Sequence, residues 1–168
     1  MKLWLLPLLI GAVLVSGCTQ QSSSNGSVFI KSAQDIEPSQ SDLPSGWVIN
    51  NKAKYTPPES AFGIDIENEA ESLSAVLQAH IKDSAQAARE TYETYYADSD
   101  FETNIAGADC SGSVKDYLPA VAIYCIKYNV VFSANVLPIT QDTSFDANSE
   151  ENRALATELV KIILEKIE

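Results

Sequence analysis

The sequence has few of the residues that most catalytic and metal sites use. Among its 168 residues are one histidine, His80, and three cysteines. A lone histidine without a paired nucleophile is most often structural, and the cysteines are too few for a four-cysteine zinc site. Gly-x-Ser-x-Gly, phosphate-loop and dinucleotide-binding motifs are also missing. We therefore predict a protein that is not an enzyme and binds no metal or cofactor.

Basic residues are scarce as well. The chain has 11 lysines and arginines against 23 acidic residues, which gives a net charge of −12. Loss of residues 1–17 would remove Lys2 and lower the net charge to −13. Such a surface repels nucleic acids and anionic lipid headgroups. We expect no nucleic-acid partner and no flat association with a membrane surface.

The only long apolar run is Leu3–Val13, at the N-terminus, and it leads into Leu14-Val15-Ser16-Gly17-Cys18. A membrane-spanning helix needs roughly 20 apolar residues, whereas this length is usual for a signal peptide. The run resembles a prokaryotic lipoprotein signal with its lipobox. The resemblance implies cleavage after residue 17, lipidation of Cys18 and an outward-facing protein held at the cell membrane by lipid. Plain secretion and a retained anchor are the alternatives.

Two cysteines remain, Cys110 and Cys125. Outside the cytoplasm a disulfide can form and persist, and only one pairing is possible once Cys18 is lipidated. A loop of this length would contribute about 3 kcal/mol in the chain-entropy model. The alternative is a pair of free buried thiols. The spacing does not fit a Cys-x-x-Cys redox pair.

The composition divides the exported chain into two parts. Residues 18–42 are polar and serine-rich, which predicts a flexible tether with an average span of roughly 25–30 Å. A single domain is expected over residues 43–168, beginning at Leu43-Pro44-Ser45-Gly46-Trp47.

Local patterns predict the elements of the first half of this domain. Strands are expected at residues 47–49 and 61–66. Residues 72–81 fit both a helical stripe and strict alternation, and we favour a strand because Asp83 or Ser84 would cap a following helix. That helix should run to residue 97, with a buried side formed by Ala85, Ala88, Tyr92, Tyr95 and Tyr96.

The second half is predicted to begin with a polar loop over residues 98–112. Strands follow at 118–126 and 130–137, joined by a hairpin turn in which Asn129 tolerates a left-handed conformation. An amphipathic helix begins near Ser149 and buries Leu155, Leu159, Ile162, Ile163 and Ile167. The fold class is therefore α+β, with a mainly antiparallel sheet on which one short helix and the C-terminal helix pack.

The chain resembles small archaeal and bacterial surface lipoproteins of uncharacterised families. They share the lipobox, a serine-rich tether, the Leu-Pro-x-Gly-Trp start and a late hairpin before a C-terminal helix. Over residues 43–168 the element order is also similar to the PsbP/Mog1-type α-β-α sandwich. That resemblance implies a binding or assembly module and transfers no functional residue.

These observations favour a lipid-anchored extracytoplasmic binding or accessory protein, with a protein partner at the cell envelope. The alternatives are a small solute-binding component of a transport system and an extracytoplasmic enzyme. A deep pocket that groups His80 with acids or tyrosines would favour the alternatives, and a shallow surface would favour an interaction module. The numerous tyrosines could line such a pocket or complete the core.

Overall fold

The fold is taken from a computed structural model, which describes residues 30–55, 57–96, 99–115, 119–140 and 145–168. The predicted signal peptide, Cys18 and the first part of the predicted tether lie outside the described residues. The described chain forms one sheet with a helix on each face.

Seven strands form this sheet, and every neighbouring pair is antiparallel. Their order is β1-β2-β3-β7-β6-β5-β4. Helix α1 spans Ala85–Tyr95 and helix α2 spans Glu150–Ile167. The predicted α+β class is therefore confirmed. The strand bounds are β1 Val48–Ala53, β2 Ala61–Asn68, β3 Leu73–Ile81, β4 Phe101–Ile105, β5 Ala108–Lys115, β6 Ala120–Lys127 and β7 Val130–Pro138.

Helix α2 covers one face of the sheet and forms the main core. Its side chains pack on β6 and β7, where Leu159 and Ile163 are fully buried against Phe132 and Cys125. Ser149 caps the helix by accepting a hydrogen bond from the backbone of Asn152. The cap and the apolar stripe follow the prediction, except that Leu155 is only partly buried.

The segment before residue 43 completes this core, which corrects the predicted tether. Ala33 and Ile36 are fully buried around a 3₁₀ turn at Ala33–Asp35, and this turn packs on β2 and β3. The packed chain therefore begins by residue 30. Only three residues of the segment are buried, Ala33, Ile36 and Pro38, too few for a hydrophobic period to be visible in a polar sequence.

Asn129 fastens this segment to the end of the sheet. Its Nδ2 donates to the carbonyl oxygens of Ile30 at 2.8 Å and Lys82 at 3.0 Å, and its Oδ1 accepts from the Ile30 amide at 2.9 Å. The Asn129 side chain is almost completely buried. One side chain therefore joins three chain segments at the β6–β7 turn.

Helix α1 lies on the opposite face, where Ala88 and Tyr92 pack against Ile126 and Val131. Ser84 caps it, as predicted. However, Ala85 is exposed and Tyr95 is 74% exposed. The expected buried side was too wide, because the contact follows the line of residues four apart at 88 and 92.

The predicted loop over residues 98–112 is wrong. Strands β4 and β5 form a hairpin there, and the turn residues Ala106 and Gly107 both have positive φ. The Phe101 ring packs directly over Gly112, where a Cβ atom would clash with it, and the Arg153 guanidinium lies 4.8 Å from the ring centre. An edge strand needs few apolar residues, so the polar sequence of β4 shows no strand pattern and reads as a loop.

The β6–β7 hairpin has the predicted strands but different turn geometry. Tyr128, with φ of 55°, adopts the left-handed conformation expected for Asn129. Tertiary contacts account for the difference, because Asn129 makes the three side-chain hydrogen bonds described above.

Candidate binding surfaces

The predicted disulfide is present. Cys110 and Cys125 lie directly opposite each other on β5 and β6, with Cα atoms 4.1 Å apart. Both are buried on the α2 face, whereas Tyr124 and Ile126 point to the other face as expected for neighbours in a strand. The disulfide therefore joins two core strands, and Cys110 also lines a shallow cleft beside Arg89 and Asp109.

His80 lies on β3 without a catalytic partner among the described residues. Its ring contacts Tyr55 edge to face, with 6.0 Å between the ring centroids. Burial, and to a lesser extent the charge of Lys82, lower the pKa of His80 from its usual 6.5. The imidazole is therefore neutral near pH 7 and fills space at the end of the sheet.

The described residues show neither a metal-ligand cluster nor a membrane span. No three or more histidine, cysteine, aspartate or glutamate side chains in these ranges are arranged to hold a metal ion. Within the same ranges, neither helix is both long and apolar enough to cross a lipid bilayer.

The sheet carries a band of mostly polar side chains beside α1, partly exposed and partly buried, which we call the polar face. Cross-strand pairing places its side chains on the side opposite α2, and α1 packs there mainly on β6 and β7. Gln78 Nε2 donates to Ser133 Oγ at 3.1 Å. The residues of the polar face are Ser74, Val76, Gln78, Ser113, Ala122, Ser133 and Asn135.

Four tyrosines border the polar face at the end of α1, and we call them the tyrosine cluster. Tyr96 stacks on Tyr124 with centroids 4.4 Å apart, and Tyr92 and the exposed Tyr95 lie next to Tyr96. The Tyr124 hydroxyl is 3.4 Å from Asn135 Oδ1. Burial raises the pKa of Tyr92 above 10.0, so its phenol is neutral at pH 7.

This arrangement offers aromatic rings next to amide and hydroxyl groups. Aromatic side chains provide large contact area with a polar tip, and amides and hydroxyls can both donate and accept hydrogen bonds. Ser113, Ala122 and Ser133 are buried, so a partner that has both apolar and hydrogen-bonding groups can contact the tyrosine cluster and the partly exposed members of the polar face, namely Ser74, Val76, Gln78 and Asn135. They contain no nucleophile held by a general base.

The described clefts are shallow and open. The largest, about 710 Å³, lies between the start of β1 and the β2–β3 turn and is lined by Val48, Asn50, Glu67 and Glu69 among others. Two smaller clefts of about 380 and 430 Å³ flank the Arg89–Asp109 ion pair beside α1. None of these three is lined by His80.

Among the residues that the sequence singled out, the structure brings together Cys110 and Cys125, and it groups four of the tyrosines. Tyr128 lies apart, with the Lys127 ammonium over its ring, and Tyr117 is outside the described residues. Sequence reasoning missed the polar face. Its signal was present in β7, where Ser133 and Asn135 stand two residues apart within an apolar run.

Comparisons with known proteins find only distant similarity. No protein-family model matches the chain, and no curated protein matches it. Among solved structures, a Bacteroides thetaiotaomicron protein is 18% identical with a TM-score of 0.40, covering 71% of this chain and 41% of the other. The extracellular domain of PknH from Mycobacterium tuberculosis is 12% identical with a TM-score of 0.33, covering 62% and 64%. This chain thus spans less than two thirds of either protein, and similarity at this level assigns no function.

Proposed function

We propose that this chain is a lipid-anchored, extracytoplasmic binding protein without catalytic activity. The lipobox ending at Cys18 supports anchorage through two acyl chains, which hold a protein stably where one chain does not. The Cys110–Cys125 disulfide supports an oxidising location. A protein partner at the cell envelope is the expected ligand.

The observation that carries the binding role is the tyrosine cluster beside the polar face. Tyr95 is one of three large hydrophobic side chains that are exposed among the described residues. Tyrosine is enriched at protein interfaces because it combines apolar area with a hydrogen-bonding tip. Small-molecule sites are usually concave and enclosed, so the shallow clefts favour a macromolecular partner over a small solute.

Fractionation of a Cys18→Ser variant tests the anchor. The parent should sediment with membranes and carry a lipid adduct on its first mature residue by intact-mass analysis. The variant should be released or remain as an uncleaved precursor. Processing and membrane sedimentation identical to the parent would contradict the anchor.

Site-specific photocrosslinking in cells tests the binding surface. A photoreactive amino acid at Tyr95 should give a discrete crosslinked partner band. The same amino acid at Lys161, an exposed position on α2 at the opposite side of the sheet, is the matched control. Equal crosslinking from both positions, or none from position 95, would contradict a binding role for the tyrosine cluster.

A further inference from the structure

We infer that the domain stands on the membrane with a defined end towards the lipid. We call the end of the sheet that carries Ile30, Lys82 and Asn129 the proximal end, and the end at the β2–β3 turn, residues 69–72, the distal end. This inference rests on the proposed lipid anchor at Cys18, and it adds the orientation that the anchor alone does not provide.

The point of attachment fixes which end is proximal. The described chain begins at Ile30, and the Asn129 side chain holds it beside Lys82 at the end of β3. A lipid-modified Cys18 lies only about 12 residues earlier, and a chain of that length reaches at most about 40 Å. For a polar, serine-rich sequence of this length the expected end-to-end distance is about 20 Å.

The sheet is longer than the expected end-to-end distance of this connection. Strand β3 has nine residues, which corresponds to about 30 Å from the proximal to the distal end. Antiparallel pairing places the start of β3 beside Pro138 and the end of β3 beside Val130, so the two ends are separated along the whole sheet. Because the expected length of the connection is shorter than the sheet, the connection favours the proximal end as the end nearer the lipid.

The charge distribution favours the same orientation. Helix α2 ends next to Lys127, which bonds to Glu168 at the proximal end, so the first turn of α2 points towards the distal end. Acidic side chains dominate the distal region, namely Glu67, Glu69, Glu71, Glu150 and Glu151. The proximal loops carry a mixture of basic and acidic side chains, namely Lys31, Lys54, Glu59, Lys82 and Asp83.

An anionic membrane surface repels the acidic end once it comes within a Debye length, about 8–10 Å at physiological ionic strength. The balanced proximal end experiences little of this repulsion. In this orientation the open cleft at the β2–β3 turn faces away from the lipid. The tyrosine cluster, on the side of the sheet, is reachable by a partner that approaches parallel to the membrane.

Energy transfer from two matched labels tests the orientation. Asp83→Cys and Glu71→Cys each replace one exposed acid, one at the proximal end and one at the distal end, and the native cysteines are blocked by lipid and the disulfide. The lipid-modified full chain is labelled with a donor and reconstituted into phosphatidylcholine–phosphatidylglycerol vesicles that contain an acceptor lipid. Transfer from position 83 should exceed that from position 71 by the amount expected for about 30 Å.

The possible results distinguish failure of the orientation from failure of the lipid anchor. Equal transfer, or stronger transfer from position 71, with the protein bound to vesicles would overturn the orientation and leave the anchor intact. Lack of lipid-dependent vesicle binding would overturn the anchor, and the orientation with it. In vesicles of phosphatidylcholine alone, a smaller difference between the two labels would support the electrostatic contribution.

Discussion

Replacement of Asn129 by alanine tests the attachment of the N-terminal segment most directly. The change removes three side-chain hydrogen bonds, two to Ile30 and one to the Lys82 carbonyl. A protein hydrogen bond contributes about 0.5–1.5 kcal/mol net. Water can reach these partly buried groups in the variant, which offsets part of the loss. We therefore expect the free energy of unfolding to fall by about 2–3 kcal/mol.

Urea denaturation monitored by circular dichroism measures this loss. With a typical urea m-value of about 2 kcal/mol/M, the midpoint should fall by about 1 M or slightly more. Limited proteolysis should cut residues 30–42 faster in the variant than in the parent, because the segment is then held mainly by Ala33 and Ile36.

Two companion variants separate the hydrogen bonds from general effects. Asn135→Ala, on the polar face, loses only a long 3.4 Å contact and should change stability by less than about 1 kcal/mol. Asn129→Asp keeps the acceptor for the Ile30 amide but places a carboxylate against two carbonyl oxygens. It should therefore be at least as unstable as Asn129→Ala at pH 7. An unchanged midpoint for Asn129→Ala would refute the attachment.

Three further changes probe the core, the disulfide and an ion pair. Leu159→Ala, at a fully buried position, should lower the free energy of unfolding by about 2–5 kcal/mol, and an unchanged denaturation midpoint would show that α2 is not packed on the sheet. Replacing Cys110 and Cys125 together by alanine should cost about 3 kcal/mol, measured against the oxidised parent, and an equally stable variant would contradict the cross-link's role. Lys166 and Ser39 lower the pKa of Asp42 from 3.8 to about 2, so this carboxylate stabilises the fold above pH 4 and loses that effect as the pH falls towards 2. Asp42→Asn should therefore be slightly less stable than the parent at pH 6, by less than about 1 kcal/mol for so exposed a pair, and the difference should vanish near pH 2.

The sequence predicted those elements whose signals are local. Residues 72–81 were assigned correctly as a strand because Ser84 marks the start of a separate helix. The apolar and branched runs of β6 and β7 and the cap at Ser149 are equally local, and the structure places the two strands and the cap as expected. The cysteine pairing followed from elimination, since two cysteines allow one bond.

The remaining features depend on contacts that no local pattern records. Strand β4 is recognisable only through its partner β5, because the Phe101 ring occupies the space above Gly112. Ala33 and Ile36 are buried against sheet strands that come later in the sequence. The polar face required the strand order, since Gln78 and Ser133 are far apart in sequence and meet only across the β3–β7 pair.

The strand order has a consequence for how the chain folds. Strands β1–β3 and β4–β7 are two sets of sequence neighbours, and the sheet becomes continuous only where β3 pairs with β7. That pairing closes a loop of roughly 50 residues between Ile81 and Val130, whereas the hairpins within each set close far shorter loops. Contacts of high sequence separation form slowly, so joining the two sets should limit the refolding rate. The disulfide joins Cys110 to Cys125 inside that loop and shortens the path through it by about 15 residues, so this step should be modestly faster in the oxidised chain than in the reduced chain.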